Sequence, residues 1–193
     1  MPISNLSNGL RTGVCTSTNR PTTPYEGQVI YETDTDKVFV WNASAWKQIP
    51  TAATAGAVLQ VVSGSTSTQV LNTTSTYADT GLTATITPSS TTNKVLIYVH
   101  QADCKITNAN ATGIGLRLFR GATNIQEFAS NLGKFASATE NFFDSSTMFL
   151  DSPATTSATI YKTQFNSSAN SNGTVVQAAS TSQSVIILTE ISA

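Results

Sequence analysis

Three residues near the middle of the chain, His100, Asp103 and Cys104, are of the types that bind a transition metal or pair a cysteine nucleophile with a base. His100 is the only histidine in the sequence. A zinc site needs three or four such groups around one point, and no second histidine or cysteine pair completes the set. The three residues also lie at the end of an apolar run that predicts a β-strand, which does not gather them. We therefore expect a buried or turn-capping role and no metal site.

Two acidic residues, Asp34 and Asp36, have the spacing of a turn that could hold a hard cation. Calcium takes roughly six to eight oxygen ligands, and no EF-hand or Asp-rich repeat supplies the remainder. Aspartate side chains also accept hydrogen bonds from backbone N–H groups in tight turns. The sequence therefore favours turn capping over cation binding.

Hydrolytic chemistry has no recognisable residues. Glycoside hydrolysis requires two facing carboxylates in a cleft. The dispersed acids of the second half form no such pair in sequence: Glu127, Glu140, Asp144 and Asp151. A Gly-x-Ser-x-Gly nucleophile motif is absent, and one histidine leaves little choice of base. We predict that the protein is not an enzyme and needs no cofactor.

Composition favours a protein that packs against other subunits. Only 11% of the residues are charged, against about 25% in an ordinary soluble domain, and Ser, Thr and Asn fill most polar positions. Such a surface has few ions to desolvate when subunits meet. Secreted and cell-surface β-proteins share this bias, so both classes stay open at this point. The net charge of −1 and the pI near 5.7 predict no nucleic-acid binding.

Targeting signals are not recognisable in the sequence. No stretch reaches the roughly 18 apolar residues that a membrane span needs, and Met1 to Gly13 lacks the apolar core of a signal peptide. We expect a protein that has no membrane contact and is made and kept in the cytoplasm. Two thiols in such a product, Cys15 and Cys104, are expected to be free.

The stretch from Arg20 to Ile49 predicts a three-strand β-meander with strands Gln28–Glu32, Lys37–Trp41 and Trp46–Ile49. About 30 residues cannot cover both faces of such a sheet. The large aromatic side chains of the meander should therefore lie against a partner surface, which makes them candidate interface residues: Tyr31, Phe39, Trp41 and Trp46. Residues 1–19 are expected to form an extended arm with at most one turn of helix.

Three regions follow along the chain: arm and meander in 1–50, a small-residue linker in 51–56, and a second domain in 57–193. Apolar runs recur in the second domain at intervals of about 8 to 15 residues, without a long helix-period segment. This pattern predicts an all-β protein whose second domain is a jelly-roll-like β-sandwich. The expected strands are Val58–Ser63, Thr68–Asn72, Leu82–Thr87, Lys94–Gln101, Ile114–Arg120, Asn124–Phe128, Asn141–Leu150, Ala158–Phe165, Thr174–Gln177 and Ser184–Glu190.

Two of these strands, Lys94–Gln101 and Ser184–Glu190, are apolar on both faces over Val95–Val99 and Val185–Leu188. Strands of this kind lie centrally in a sheet or at an interface. Phe142, Phe143 and Phe149 lie in an apolar run and are expected in the core.

Several phrases of the sequence resemble known proteins. Gly9 to Ile49, GLRTGVCTSTNRPTTPYEGQVIYETDTDKVFVWNASAWKQI, resembles a module near the N-termini of tail-fibre-like and other virion structural proteins of marine and cyanobacterial bacteriophages. Three later phrases resemble a second module of the same kind of protein: GLTATITPSSTTNKVLIYV, FLDSPATTSATIYKTQF and SVIILTEISA.

The resemblance implies a noncatalytic virion structural protein, an oligomeric capsid decoration or a short fibre or knob, with a homotrimer as the expected assembly. Residues 1–50 would attach the protein to capsid, tail or sister subunits, and 57–193 would form the displayed body on the virion surface. The alternative is a tail-associated module that binds a receptor or a host surface glycan. The length of the chain and the absence of shaft repeats or heptads argue against a long fibre.

Overall fold

The computed structural model describes residues 12–50, 54–106, 112–134, 141–168, 174–176 and 181–193. Every regular element within these residues is a β-strand, which confirms the predicted all-β class. The chain divides into two compact units, residues 1–54 and 55–193. We call them the small unit and the sandwich.

The small unit is a four-stranded sheet in the order β1(Gly13–Cys15), β2(Val29–Glu32), β3(Lys37–Trp41), β4(Trp46–Ile49). Strands β2 to β4 pair antiparallel in the register expected of a meander. Strand β1 was not predicted, and it pairs parallel to β2. Of the expected N-terminal arm, residues 1–11 lie outside the described part of the chain, and residues 13–15 belong to this sheet.

The sandwich contains ten strands in the described residues, and each lies close to a predicted one. They are β5(Val58–Thr66), β6(Val70–Asn72), β7(Ala78–Ile86), β8(Lys94–Ile106), β9(Ile114–Arg120), β10(Thr123–Leu132), β11(Asn141–Asp151), β12(Thr159–Ser167), β13(Thr174–Val176) and β14(Ser184–Ile191).

Eight long strands form two sheets with jelly-roll topology. The first sheet has the order β5–β14–β8–β11. The short strand β13 pairs with the end of β8, and β6 pairs with β13. The second sheet has the order β7–β12–β9–β10. All of these pairs are antiparallel. Counted along the chain, the long strands are therefore arranged 1-8-3-6 and 2-7-4-5, the order that two Greek keys produce. Strands β8 and β14 are central, as their two apolar faces predicted.

The inner faces of the two sheets enclose two apolar clusters. Val95, Ile97, Leu118 and Leu188 belong to one, and Cys104, Ile114, Leu116 and Phe165 belong to the other.

A chain of buried hydrogen bonds crosses the sandwich between the two sheets. The Gln101 amide donates to Ser184 Oγ at 2.8 Å and accepts from Thr163 Oγ1 at 3.0 Å. The hydroxyls of Thr163 and Thr80 lie 2.6 Å apart. All four residues are fully buried. The chain therefore joins β14 and β8 of the first sheet to β12 and β7 of the second.

The two sheets also approach each other closely at one margin, where β5 passes β7. A Cβ placed on Gly64 would lie 1.9 Å from the backbone oxygen of Thr83. Only glycine permits this approach, because any side chain would overlap backbone that cannot turn aside. The crossing closes this margin of the sandwich.

Candidate functional site

The structure separates the three residues of the histidine–aspartate–cysteine motif. His100 Nδ1 lies 3.0 Å from Ser146 Oγ, whereas Cys104 is fully buried in the core. Burial raises the pKa of the Cys104 thiol to about 12, so it stays protonated. Asp103 occupies a bulge of β8 with a φ of 44°, and its N–H donates to the Asp144 carboxylate. Within the described residues no group of three or more His, Cys, Asp or Glu side chains could hold a metal ion.

Asp34 and Asp36 fasten the turn between β2 and β3. The Asp34 carboxylate accepts the Ser17 hydroxyl at 2.6 Å and the Ser17 N–H at 2.9 Å, and these hydrogen bonds lower its pKa. The Asp36 carboxylate accepts the Tyr31 hydroxyl at 2.6 Å. Asp34 thereby ties the loop that follows β1 to the meander, which is a structural role of the kind the sequence favoured.

Glu127, Asp144 and Asp151, the dispersed carboxylates that lie within the described residues, do not converge on a cleft. Glu127 pairs with Arg117 at 3.0 Å, and Asp151 accepts hydrogen bonds from Arg120 and from the buried Tyr161. Glu140 lies outside the described residues. A shallow depression of about 330 Å³ is lined by neutral side chains apart from Arg120, so it offers no acid–base pair.

Glu190 is a fully buried carboxylate that the sequence analysis did not single out. Burial alone would raise its pKa, but hydrogen bonds from Gln60, Asn93 and Ser89 outweigh that effect and lower the pKa to about 2. The donors lie 2.5 to 2.8 Å from its oxygens. Glu190, on β14, thus holds two other segments in place: strand β5 through Gln60, and the loop before β8 through Ser89 and Asn93. Both carboxylate oxygens accept hydrogen bonds from these structural partners.

The small unit covers one face of its sheet with its own chain. Phe39 is only 8% exposed, with the Arg20 guanidinium 4.3 Å above its ring. Arg20 also pairs with the fully buried Glu32, and this hydrogen bond lowers the pKa of Glu32. Trp41 and Trp46 lie on the same face, half-buried and packed edge-to-face at 5.6 Å. Three of the four expected interface aromatics therefore share the face that Arg20 lies over.

Tyr31, the fourth aromatic, lies on the opposite face, since side chains alternate along a strand. Its neighbours there are aliphatic, and Val14 and Ile49 are 63% and 40% exposed. We call this surface the aliphatic face: Val14, Val29, Tyr31, Val38, Val40 and Ile49, with Lys47 beside Val40 on the same side.

The outer face of the first sheet of the sandwich is also apolar. Three rows of side chains run across β5, β14, β8 and β11, and four of their members are strongly exposed: Val61 60%, Tyr98 40%, Met148 63% and Leu150 53%. We call this surface the apolar sheet face. Its rows are Val61–Thr189–Leu96–Leu150, Ser63–Ile187–Tyr98–Met148 and Ser65–Val185–His100–Ser146.

The outer face of the second sheet is charged and hydrogen-bonded. Lys162 lies 2.9 Å from Asp79, and Gln164 donates to the same carboxylate at 2.7 Å. Arg117 pairs with Glu127 and stacks 3.8 Å above the Tyr77 ring. We call this surface the charged sheet face. The rows of the apolar sheet face contain no Asp, Glu, Lys or Arg.

The sequence carried a signal for the apolar sheet face, because β8 and β14 read as apolar on both sides. It gave a wrong expectation for Phe142, which is 55% exposed with the Lys105 ammonium 5.2 Å above its ring. Alternation along β11 explains the difference, since Phe143 and Phe149 point inward and pack against the core.

The fold and its surfaces define an all-β jelly-roll protein with one apolar and one charged outer face. No helix in the described residues is long and apolar enough to cross a membrane. No protein-family model and no curated protein matches the chain.

Solved structures with partial similarity include two from viruses. A chain of infectious bursal disease virus, Gx strain, is 11% identical over 79% of this chain and 36% of that chain, with a TM-score of 0.44. A chain of the cyanophage Pam1 capsid asymmetric unit is 18% identical over 78% of this chain and 96% of that chain, with a TM-score of 0.32.

A third similar structure is dimeric latent PorU from Porphyromonas gingivalis, 13% identical over 73% of this chain and 14% of that chain, with a TM-score of 0.27. This chain thus spans about a third of the infectious bursal disease virus chain. All three TM-scores lie below 0.5, so the function of this chain is inferred from its own residues.

Proposed function

We propose that this chain is a noncatalytic structural protein of a bacteriophage virion, an oligomeric capsid decoration or a short fibre or knob at the particle surface. The observation that carries the proposal is the unequal surface of the sandwich. Three rows of one outer face contain no Asp, Glu, Lys or Arg and expose Val61, Tyr98, Met148 and Leu150, while the other outer face bears ion pairs. Large exposed apolar surfaces mark contacts with other macromolecules.

The sequence resemblance to phage virion proteins specifies what kind of assembly this is. It covers Gly9 to Ile49 and three phrases that fall in the sandwich. It also suggests a homotrimer, and the 11% charge content lowers the desolvation cost of such packing.

The small unit is proposed as the attachment element. Its sheet has four short strands, one face over which Arg20 lies, and an aliphatic face with exposed Val14 and Ile49. A capsid or tail protein that covers this face would give the sheet a second layer. Trp41 and Trp46 lie half-buried on the opposite face beside Phe39, and they remain proposed interface residues for a contact through that face.

Arrangement of the polar side chains supports a noncatalytic role. Buried Asp151 and Glu190 have their hydrogen-bonding capacity taken up by structural partners, and the Cys104 thiol is buried among apolar side chains. A catalytic acid or nucleophile needs a free path to substrate.

Labelling of intact virions tests the proposal. Antibody raised against the purified chain should decorate particles at regular positions on the head or at a tail short fibre, and the chain should co-purify with particles through a density gradient. Label confined to the distal tail tip, together with binding to host surface glycan, would favour the receptor-binding alternative. Absence of the chain from purified particles would refute the virion assignment.

A further inference from the structure

We propose that the apolar sheet face is the contact between copies of this chain. The inference rests on the proposed assembly role and names the partner of one surface: a second copy, presenting the same face. This two-fold contact joins chains in pairs and is separate from the contacts of the expected homotrimer. It concerns the three rows of outward side chains on β5, β14, β8 and β11, and the cations Lys94 and Lys105 lie beyond the two ends of these rows.

The face has the shape of a sheet-packing surface. Its three rows cross four hydrogen-bonded strands without a break in register between Val185 and Thr189. Four strands and six residues of length give about 20 Å by about 20 Å, or about 400 Å² in projection. The surface is a flat sheet rather than a cleft, and sheets pack face to face at about 10 Å through interdigitating side chains.

The chemistry of the face selects against most other partners. Its rows offer aliphatic side chains, one tyrosine, Met148, His100 and a few hydroxyls. Nucleic acid requires cationic side chains, and the rows have no Lys or Arg. A glycan requires hydrogen-bonding groups around an aromatic platform, whereas Tyr98 has Met148 and Ile187 beside it in its row.

A second copy fits the apolar sheet face because the rows of both copies carry no Asp, Glu, Lys or Arg, so neither copy has to desolvate a charge. Apposition about a two-fold axis brings the residues at the axis against their own copies, so a charge there would meet a like charge. The rows avoid that repulsion, while the charged sheet face of the same sandwich carries four charged residues in two ion pairs. Copies that met through the charged sheet face would have to desolvate those pairs.

The size of the face predicts how strong the contact is. Twelve residues in three rows of four compare with about 20 to 30 on each side of a standard interface. The apolar sheet face therefore supplies about half of a stable contact. We expect reversible association that increases with protein concentration, strengthened on the particle by the high local concentration of copies.

The test uses sedimentation equilibrium of the purified full chain and a pair of matched lysine variants. Met148→Lys places a cation on the apolar sheet face, and Ile160→Lys places one at a similarly exposed position of the second sheet, 49% against 63%. Both side chains remain solvated in the monomer, so circular dichroism should show both variants folded. We expect Met148→Lys to weaken self-association at least about tenfold and Ile160→Lys to leave it unchanged.

The outcomes separate this inference from the proposed function. A wild-type mass of 20.3 kDa at every concentration, or association that Met148→Lys leaves intact, overturns the contact even if the chain is found on virions. Loss of association only in Met148→Lys supports the contact even if the chain is absent from virions. If Met148→Lys does not fold, Tyr98→Lys in the same row takes its place with the same expected result.

Discussion

The two sheets of the sandwich share one core but differ on their outer faces. Inward positions of both are filled by residues such as Ile97, Leu188, Leu118 and Phe165. Outward, the second sheet carries Lys162 paired with Asp79, whereas the first sheet exposes Met148. Core packing cannot explain this difference, because neither outer face touches the core. The contrast is the observation behind our proposal that the two faces meet different surroundings, water on one side and protein on the other.

The junction of the two sheets is where a substitution should have its largest effect. Gly64→Ala would place a methyl group 1.9 Å from the Thr83 backbone oxygen, so β5 or β7 must move. We expect a loss of about 3 kcal/mol or more in the free energy of unfolding, measured by urea denaturation. Ser63→Ala, one residue away on the apolar sheet face, should change stability little. Equal stability of Gly64→Ala and the wild type would show that the sheets do not close against each other there.

The buried polar chain that joins the sheets gives the next largest effect. Gln101→Ala removes the hydrogen bonds to Ser184 and Thr163 and leaves a cavity, which should cost about 2 to 4 kcal/mol. Gln164→Ala is a matched control, because Gln164 also hydrogen-bonds a side chain but lies on the charged sheet face. Comparable losses in the two variants would contradict the proposed difference between core and surface glutamines.

Lowering the pH should destabilise the first sheet, because protonation of Glu190 weakens its hydrogen bonds. Its folded-state pKa of about 2 lies below the ordinary value of 4.5, so its contribution is complete above pH 4.5 and is lost as pH falls toward 2. Glu190→Gln should lower stability at pH 7 and flatten the decline between pH 4.5 and 2, measured by urea denaturation at each pH. A decline that is the same in the variant and the wild type would assign the acid sensitivity to other carboxylates.

Ion pairs on the charged sheet face should have the smallest effect. Lys162 and Asp79 are partly exposed, so Lys162→Ala should change the free energy of unfolding by less than about 1 kcal/mol. The measurement is urea denaturation at low and high salt, since screening should reduce even this difference. A loss as large as that of Gln101→Ala would mean that the charged sheet face is not an ordinary solvated surface.

Most strands of the fold could be predicted from the sequence, because an apolar run between turn residues indicates a β-strand. The run Lys37–Trp41 and the run Ile114–Arg120 were predicted with their observed ends. Strand β7 begins four residues earlier than expected, since Ala78 and Asp79 have weak strand preference and are held by pairing with β12.

The surfaces were harder to predict than the strands. Tyr31, Phe39, Trp41 and Trp46 stay predicted interface residues, and the register adds that Tyr31 lies on the opposite face from the other three. Strand β1 has only three residues, one of them a glycine, so its own sequence carries little strand signal. Its parallel pairing with β2 depends on contacts that are distant in sequence. The buried position of Glu190 likewise depends on donors about 100 and 130 residues away.

A cryo-electron microscopy reconstruction of the virion tests the central claim most directly. The account predicts density for this chain on the particle surface, with the β5–β14–β8–β11 face covered by protein and the β7–β12–β9–β10 face toward solvent. A reconstruction in which the apolar sheet face is open to solvent and the charged sheet face is covered would contradict it.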